Sequence, residues 1–205
     1  NLITSFSQNG TIDEDNNYTF DLSSIIDSNY DVSFAVKTDD TNGTSLIDSN
    51  KLLTFTPNLN YNGSSSFIII ASTDTSITSI TQDITFDITI NPVNDQPTGT
   101  VSIVGTVLPN NELSVDLTQI TDIDDSNLFY TYLWQLSADS NTWDSSTNVG
   151  SSSTFIIPDT NDNENYYIRV KVFVEDNDTN NTEFISNEVQ LQKLNLVNTF
   201  TIDDT

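Results

Sequence analysis

The side chains of this sequence that could do chemistry are almost all carboxylates and carboxamides. Thirty Asp and Glu residues stand against five Lys and Arg, histidine, cysteine and methionine are absent, and the formal charge is −25. Without His and Cys there are no soft-metal sites, no usual zinc, copper or iron ligands, and no Ser-His or Cys-His nucleophile. Hard-cation chemistry remains. Calcium or magnesium is held by oxygen alone, and calcium takes about six to eight oxygens from several loops.

Four clusters carry such oxygens. "DED" (13–15) supplies Asp13, Glu14 and Asp15, and "DSNYD" (27–31) sets Asp27, Asn29 and Asp31 at alternate positions. "DIDDS" (122–126) supplies Asp122, Asp124 and Asp125, and "EDNDTN" (175–180) supplies Asp176 and Asp178. None is an EF-hand: counting from Asp27, the sixth position is Val32 rather than Gly and the twelfth is Thr38 rather than Glu. Taken singly, each cluster reads as a solvated turn of the kind Asx residues favour. Taken together, most fall at the ends of strands, and a β-sandwich gathers its strand ends at two poles.

The elements that must position them are strands. Helical periodicity is weak, while two-residue alternation recurs in "NYTFDL" (17–22), "DVSFAVK" (31–37), "KLLTFTP" (51–57), "SSFIIIAS" (65–72) and "ITFDITI" (84–90). "TNGTS" and "NYNGS" separate them as turns. In the last strand Ile84, Phe86, Ile88 and Ile90 share a face opposite Thr85, Asp87 and Thr89. After Pro97 the pattern restarts with "GTVSIVGTV" (99–107), "ELSVDL" (112–117), "LFYTYLWQLS" (128–137), "STFIIP" (153–158), "NYYIRVKVFVED" (165–176) and "EFISNEVQLQ" (183–192). Trp134 is expected at the inter-sheet core, with Val170, Val172 and Val174 facing it from the opposite sheet.

Two sandwich domains are therefore expected, an all-β chain divided into residues 1–95 and 96–193. Between them "NPVNDQP" (91–97) has prolines at 92 and 97, which end a strand and stiffen a short joint. The chain begins mid-pattern and reads as a fragment of something longer. Its tail (194–205) is expected to be a linker or the first strand of a following module, with Asp203 and Asp204 where "DED" stood.

The first half resembles the cadherin-like modules found in tandem in large bacterial surface adhesins. The residues that carry this are "TIDEDNNYTF", "LLTFTPNLNYNGSSSF" and "ITFDITINPVNDQP", about 90 residues in all. In that family an early acidic triplet, an acidic loop and an Asn-Asp linker hold calcium at the domain junction. The resemblance implies ligand roles for Asp13, Glu14, Asp15, Asp74, Asn94 and Asp95, with Asp122 and Asp124 reaching back from the second half. The loop at 27–31 departs from the Asp-Gly-Asp form of the family. The second half is similar to bacterial immunoglobulin-like repeats, through "YLWQLSADSNTW" and "YYIRVKVFVEDND".

The function this implies is structural: a calcium-stiffened extender of a secreted cell-surface adhesin, monomeric, with calcium ions and neighbouring modules of the same chain as its partners. Magnesium suits a multi-carboxylate joint without preset geometry less well than calcium. The alternative is a module that binds a glycan or a surface protein, with Tyr30, Tyr61, Trp143 and Tyr166 as stacking candidates. No spacing singles out a catalytic pair, so no enzyme is expected. Nucleic acid is an improbable partner for so acidic a chain, and no apolar run approaches a membrane span.

Overall fold

The structure is a computed structural model that describes residues 1–27, 30–73, 80–144, 147–159, 165–177 and 181–192. The chain divides into two compact units, Asn1–Val93 and Asn94–Thr205. Fifteen strands and one short 3-10 turn are described.

The first unit has two sheets. One holds β1 (Ser7–Asp13), β7 (Ile80–Asn91), β6 (Gly63–Thr73) and β3 (Ser33–Thr38), in that order. The other holds β2 (Tyr18–Asp21), β5 (Leu52–Pro57) and β4 (Gly43–Ile47). Each buried side chain on one sheet must meet the other, and the aromatics show how. Phe55 on β5 stacks on Phe67 of β6 at 4.9 Å between ring centroids, and Phe67 stacks on Phe86 of β7 at 5.2 Å. Phe20 of β2 meets Phe86 edge-on at 5.4 Å. These rings join both sheets into one core, in which Ile84, Phe86, Ile88 and Ile90 are buried as their alternation requires.

Two strands of this unit were not visible as strands in the sequence. β4 contains the Gly-Thr-Ser of "TNGTS", and β1 contains Asn9-Gly10, a pair that ordinarily signals a turn. Both glycines serve packing instead. A Cβ on Gly43 would collide with the Phe55 ring, and one on Gly10 would collide with Tyr18. β1 pairs with β7 in parallel, Asp13 opposite Asn91, in a sheet whose other pairs are antiparallel.

In the second unit β11 (Asn148–Gly150), β10 (Phe129–Ser137), β13 (Tyr167–Glu175) and β14 (Asn181–Ile185) form one sheet, with β15 (Val189–Gln190) also on β13. β12 (Thr154–Ile156), β9 (Glu112–Asp116) and β8 (Ser102–Val104) form the other. Trp134 is fully buried, and its indole N–H donates to the Ser152 carbonyl at 2.8 Å. The expected placement of the valines is corrected here. Val170 is the direct register partner of Trp134, and Val172 and Val174 continue the same face of the same sheet. The ring that reaches Trp134 from the opposite sheet is Phe155, at 5.5 Å. Alternation tells which residues share a face, but not which strands are neighbours.

Candidate functional site

Parallel pairing of β1 with β7 puts the C-terminal ends of both strands at the same end of the sheet. The triplet that begins at the last residue of β1 therefore lies against Asn91–Val93, which begin at the last residue of β7. Glu14 donates its own N–H to the Asn91 carbonyl at 2.9 Å, and its Oε1 accepts from the N–H of Val93 at 2.6 Å. Only 1% of Glu14 is exposed, and its Oε2 is buried with no hydrogen-bond partner among the described residues. Asp13 accepts from Asn91 Nδ2 at 3.0 Å. Asp15 adopts a left-handed backbone (φ 62) and accepts from the Asn60 N–H at 3.3 Å. Asn60 and Asn91 thus belong to this acidic end, although neither was predicted there. Asn60 lies within "TPNLNYNG", so the motif was legible but its polar partner was not.

Asp27 and Asp31 lie at the other end of the unit. Asp27 donates its N–H to the Leu2 carbonyl, and Ser33, just after Asp31, pairs with Ser72, itself opposite Thr81 at the start of β7. Thr81 and Asn91 are separated by roughly 30 Å of strand. Asp27 and Asp31 are therefore not brought together with Glu14. Asn29, Asp74, Asp178 and the tail from 193 onward lie outside the described residues. Thr73, which precedes Asp74, pairs with Ile80 at that same far end.

The second unit has its own acidic cluster. Thr98 and Thr121 bridge through paired backbone hydrogen bonds of 2.8 and 2.9 Å, which bring residues 94–95 beside the 122–125 turn. In that turn Asp122 Oδ1 accepts from the N–H groups of Asp124 (2.8 Å) and Asp125 (2.9 Å). Its Oδ2 is buried and has no partner among the described residues. Asp124 accepts from the Asp95 N–H at 2.7 Å. Asp176, 2% exposed at the end of β13, accepts from Asn94 Nδ2 at 3.0 Å. Asp125 is held by the backbone and side-chain N–H groups of Asn177. The structure thus gathers Asn94, Asp95, Asp122, Asp124, Asp125 and Asp176, and adds Asn177, which "EDNDTN" contained without marking.

Among the described residues no three carboxylates converge closely enough to hold a metal ion as they stand. The donor chemistry nevertheless fits a hard cation. Every candidate is an oxygen ligand, and two carboxylate oxygens, Glu14 Oε2 and Asp122 Oδ2, are buried without a donor. A buried charged oxygen left unpaired costs on the order of a few kcal/mol, and an ion would offset that cost.

Of the four aromatic candidates Tyr30 is exposed, Tyr166 packs against the second core, and Trp143 and Tyr61 have polar partners. The Arg169 guanidinium lies 4.1 Å from the Trp143 ring centroid, and Trp143 donates its indole N–H to the Ser140 carbonyl at 2.9 Å. Tyr61 donates its hydroxyl to the Ser64 carbonyl at 2.9 Å. No described helix is long and apolar enough to cross a membrane.

No protein-family model and no curated protein matches the chain. Among solved structures it is similar to the first four extracellular cadherin domains of Drosophila N-cadherin, with 13% identity over 91% of this chain and 49% of that one, at a TM-score of 0.45. It is similar to the first three such domains of mouse protocadherin-24, with 13% identity over 94% of this chain and 69% of that one, at 0.43. An endo-fucoidan hydrolase of glycoside hydrolase family 107 also aligns, with 13% identity over 93% of this chain and 28% of that one, at 0.35. The chain thus spans between about a quarter and two thirds of these structures.

Proposed function

We propose that this chain is a calcium-stiffened extender segment of a large secreted bacterial cell-surface adhesin. The observation that carries the reading is the pair of buried carboxylate oxygens without donors, Glu14 Oε2 in the first unit and Asp122 Oδ2 in the second. Both belong to carboxylates tied into the segment 91–97: Glu14 through Val93, and the 122–125 turn through Asp95. In the first unit Glu14, Asp13 and Asp15 would hold the ion. In the second, Asp122, Asp124 and Asp176 would, with Asn94 and Asp95. Calcium supplies positive charge and six or more coordination positions, and no reaction.

The protein's own part is to present these oxygens at both ends of a proline-stiffened stretch. Two carboxylates about 4 Å apart repel by roughly 1 kcal/mol in water and about 4 at an effective dielectric near 20. Removing calcium leaves that repulsion acting on the segment 91–97, and the segment loosens.

Isothermal titration calorimetry of the whole chain with calcium, and separately with magnesium, tests this. Saturable calcium binding that Glu14→Gln and Asp122→Asn each reduce is the expected result. Absence of binding up to about 10 mM calcium, ten times the weak end of extracellular calcium modules, would overturn it.

A further inference from the structure

The two units differ on the outer face of their larger sheet. In the first, Asn9, Asp87 and Ser66 stand side by side across β1, β7 and β6, as do Thr11, Thr89 and Ser64. Such a face is well solvated. In the second, the residues of β13 that alternate with the buried valines are Arg169, Lys171, Phe173 and Glu175. Register sets Phe129 beside Glu175, Thr131 beside Phe173, and Leu133 beside Lys171, with Ile185 on the other side of Lys171.

Phe129 is 63% exposed and Ile185 48%, whereas the aromatics one residue away, Tyr130 and Phe184, pack on the core. Phe173 is half-buried, with Phe129 and Leu133 as diagonal neighbours on β10 and Ile185 on β14. The far end of this face is covered by the chain itself: Trp143 stacks on Arg169, and Gln135 beside them is 3% exposed. The half around Phe173 has no such cover among the described residues, on a chain only 35% hydrophobic.

Charge runs along β13 in a definite order. Arg169 and Lys171, two of the chain's five cations, precede Phe173, and Glu175 follows it. A strand with positive charge before an apolar centre and negative charge after it complements a copy of itself run in the opposite direction. We infer that this face docks on the same face of a second copy of the chain, with the two β13 strands antiparallel and crossing at Phe173. Lys171 then meets Glu175 of the second copy, Glu175 meets its Lys171, and Leu133 lies over its Phe129. The sheets sit about 10 Å apart, within about 30° of alignment. Lys171 already bonds Glu183 at 2.9 Å and has donors to spare, while Glu183 lies on the edge strand β14 at the wet rim. A wholly cationic partner would be opposed by Arg169 and Lys171, and a wholly anionic one by Glu175 and Glu183.

The open face is three strands by five residues, roughly 15 Å by 17 Å, well under the area of a tight dimer. Two chains of charge −25 also repel. The dimer is therefore weak, with a dissociation constant on the order of 100 µM. It departs from the monomer that the family resemblance implies, and none of the proposed calcium ligands takes part.

Sedimentation equilibrium of the whole chain from about 10 µM to about 1 mM, at saturating calcium and physiological ionic strength, tests this. Wild type is expected to dimerise in the upper part of that range. Phe129→Ser, on an exposed side chain, should weaken association about tenfold or more. Lys171→Glu and Glu175→Lys each set like charges opposite one another and should leave the chain monomeric. Glu175→Lys also lowers the net charge, so general repulsion alone would strengthen association where the register demands its loss. Mixing these two variants restores both opposite-charge pairs and should restore the dimer, which also shows that both are folded. Wild type monomeric through about 1 mM would overturn the inference. So would association that Phe129→Ser leaves unchanged, or failure of the mixed variants to recover it. Calcium is constant throughout, so such a failure leaves the calcium reading to its own calorimetric test.

Discussion

In the first unit a single carboxylate, Glu14, is buried at the end of β1, held through one oxygen by the Val93 N–H and left with the other unpaired. In the second unit the burden is shared. Asp122, Asp124, Asp125 and Asp176 are each held by N–H donors from the turn, from Asn94 and Asp95, or from Asn177. The first arrangement buries one carboxylate between two exposed aspartates held by Asn91 and Asn60, and the second ties four carboxylates into a network, each arrangement leaving one buried oxygen without a donor among the described residues. Acid residues at a strand end can thus be organised by a parallel strand pair, as in the first unit, or by Asx turns and carboxamides, as in the second. The cores differ in the same manner: stacked phenylalanines link the sheets of the first unit, while one tryptophan over a valine face centres the second.

The largest expected effect separates the two cores. Phe86→Ala should destabilise the first unit, and Trp134→Ala the second, by about 3–5 kcal/mol each. Both tryptophans lie in the second unit, so in wild type and Phe86→Ala indole fluorescence follows that unit alone while far-ultraviolet circular dichroism follows both. Phe86→Ala should leave the fluorescence transition in place. A shift in both signals would show that the units unfold together.

A smaller effect distinguishes the two acidic ends. With chelator, Glu14→Gln should be no less stable than wild type, and about 1 kcal/mol more stable, because it removes a buried unpaired charge while keeping an acceptor for Val93. With calcium at about one hundred times the dissociation constant, wild type should gain about 2.7 kcal/mol from a site that Glu14→Gln loses. Thermal melts with and without calcium check both signs. Asp122→Asn should behave in the same way with a smaller gain in chelator, since its neighbours share the charge.

The smallest effect concerns acid. Asp139 in the second unit accepts from the N–H groups of Thr142 and Asn141 and from the Ser137 and Thr142 hydroxyls, which lower its pKa from 3.8 to about 2. A carboxyl lowered on folding contributes stability above the unfolded value, and that contribution disappears as pH falls from about 4 towards 2. Asp139→Ala should therefore flatten the fall in second-unit stability across that window. Asp40 is also held below its ordinary value, so wild-type stability of the first unit should fall as pH drops below the ordinary carboxylate range, and far-ultraviolet circular dichroism should show that fall unaltered by Asp139→Ala. Fluorescence melts at pH 4 and pH 2.5 measure the difference.

The all-β fold was legible because "ITFDITI" and "LFYTYLWQLS" alternate so regularly. Neighbour relations were not. Nothing local distinguishes Val170 beside Trp134 from Val170 across the core, and Asn9-Gly10 signals a turn until a parallel partner straightens it. The site followed the same division. Clustered carboxylates and their oxygen-only chemistry could be read from residue types. The burial of Glu14 between two exposed aspartates could not, because it comes from the parallel pairing of residues nearly eighty positions apart. Likewise the engagement of Asp125 by Asn177 depends on the turn after Thr121 meeting the end of β13.

The central claim is that calcium stiffens the segment 91–97. Small-angle X-ray scattering of the whole chain, in millimolar calcium and again in chelator, addresses it most directly. The account predicts a wild-type chain that becomes measurably more flexible on chelation, and a Glu14→Gln, Asp122→Asn double variant that is flexible in both. Superimposable curves for wild type with and without calcium would contradict it.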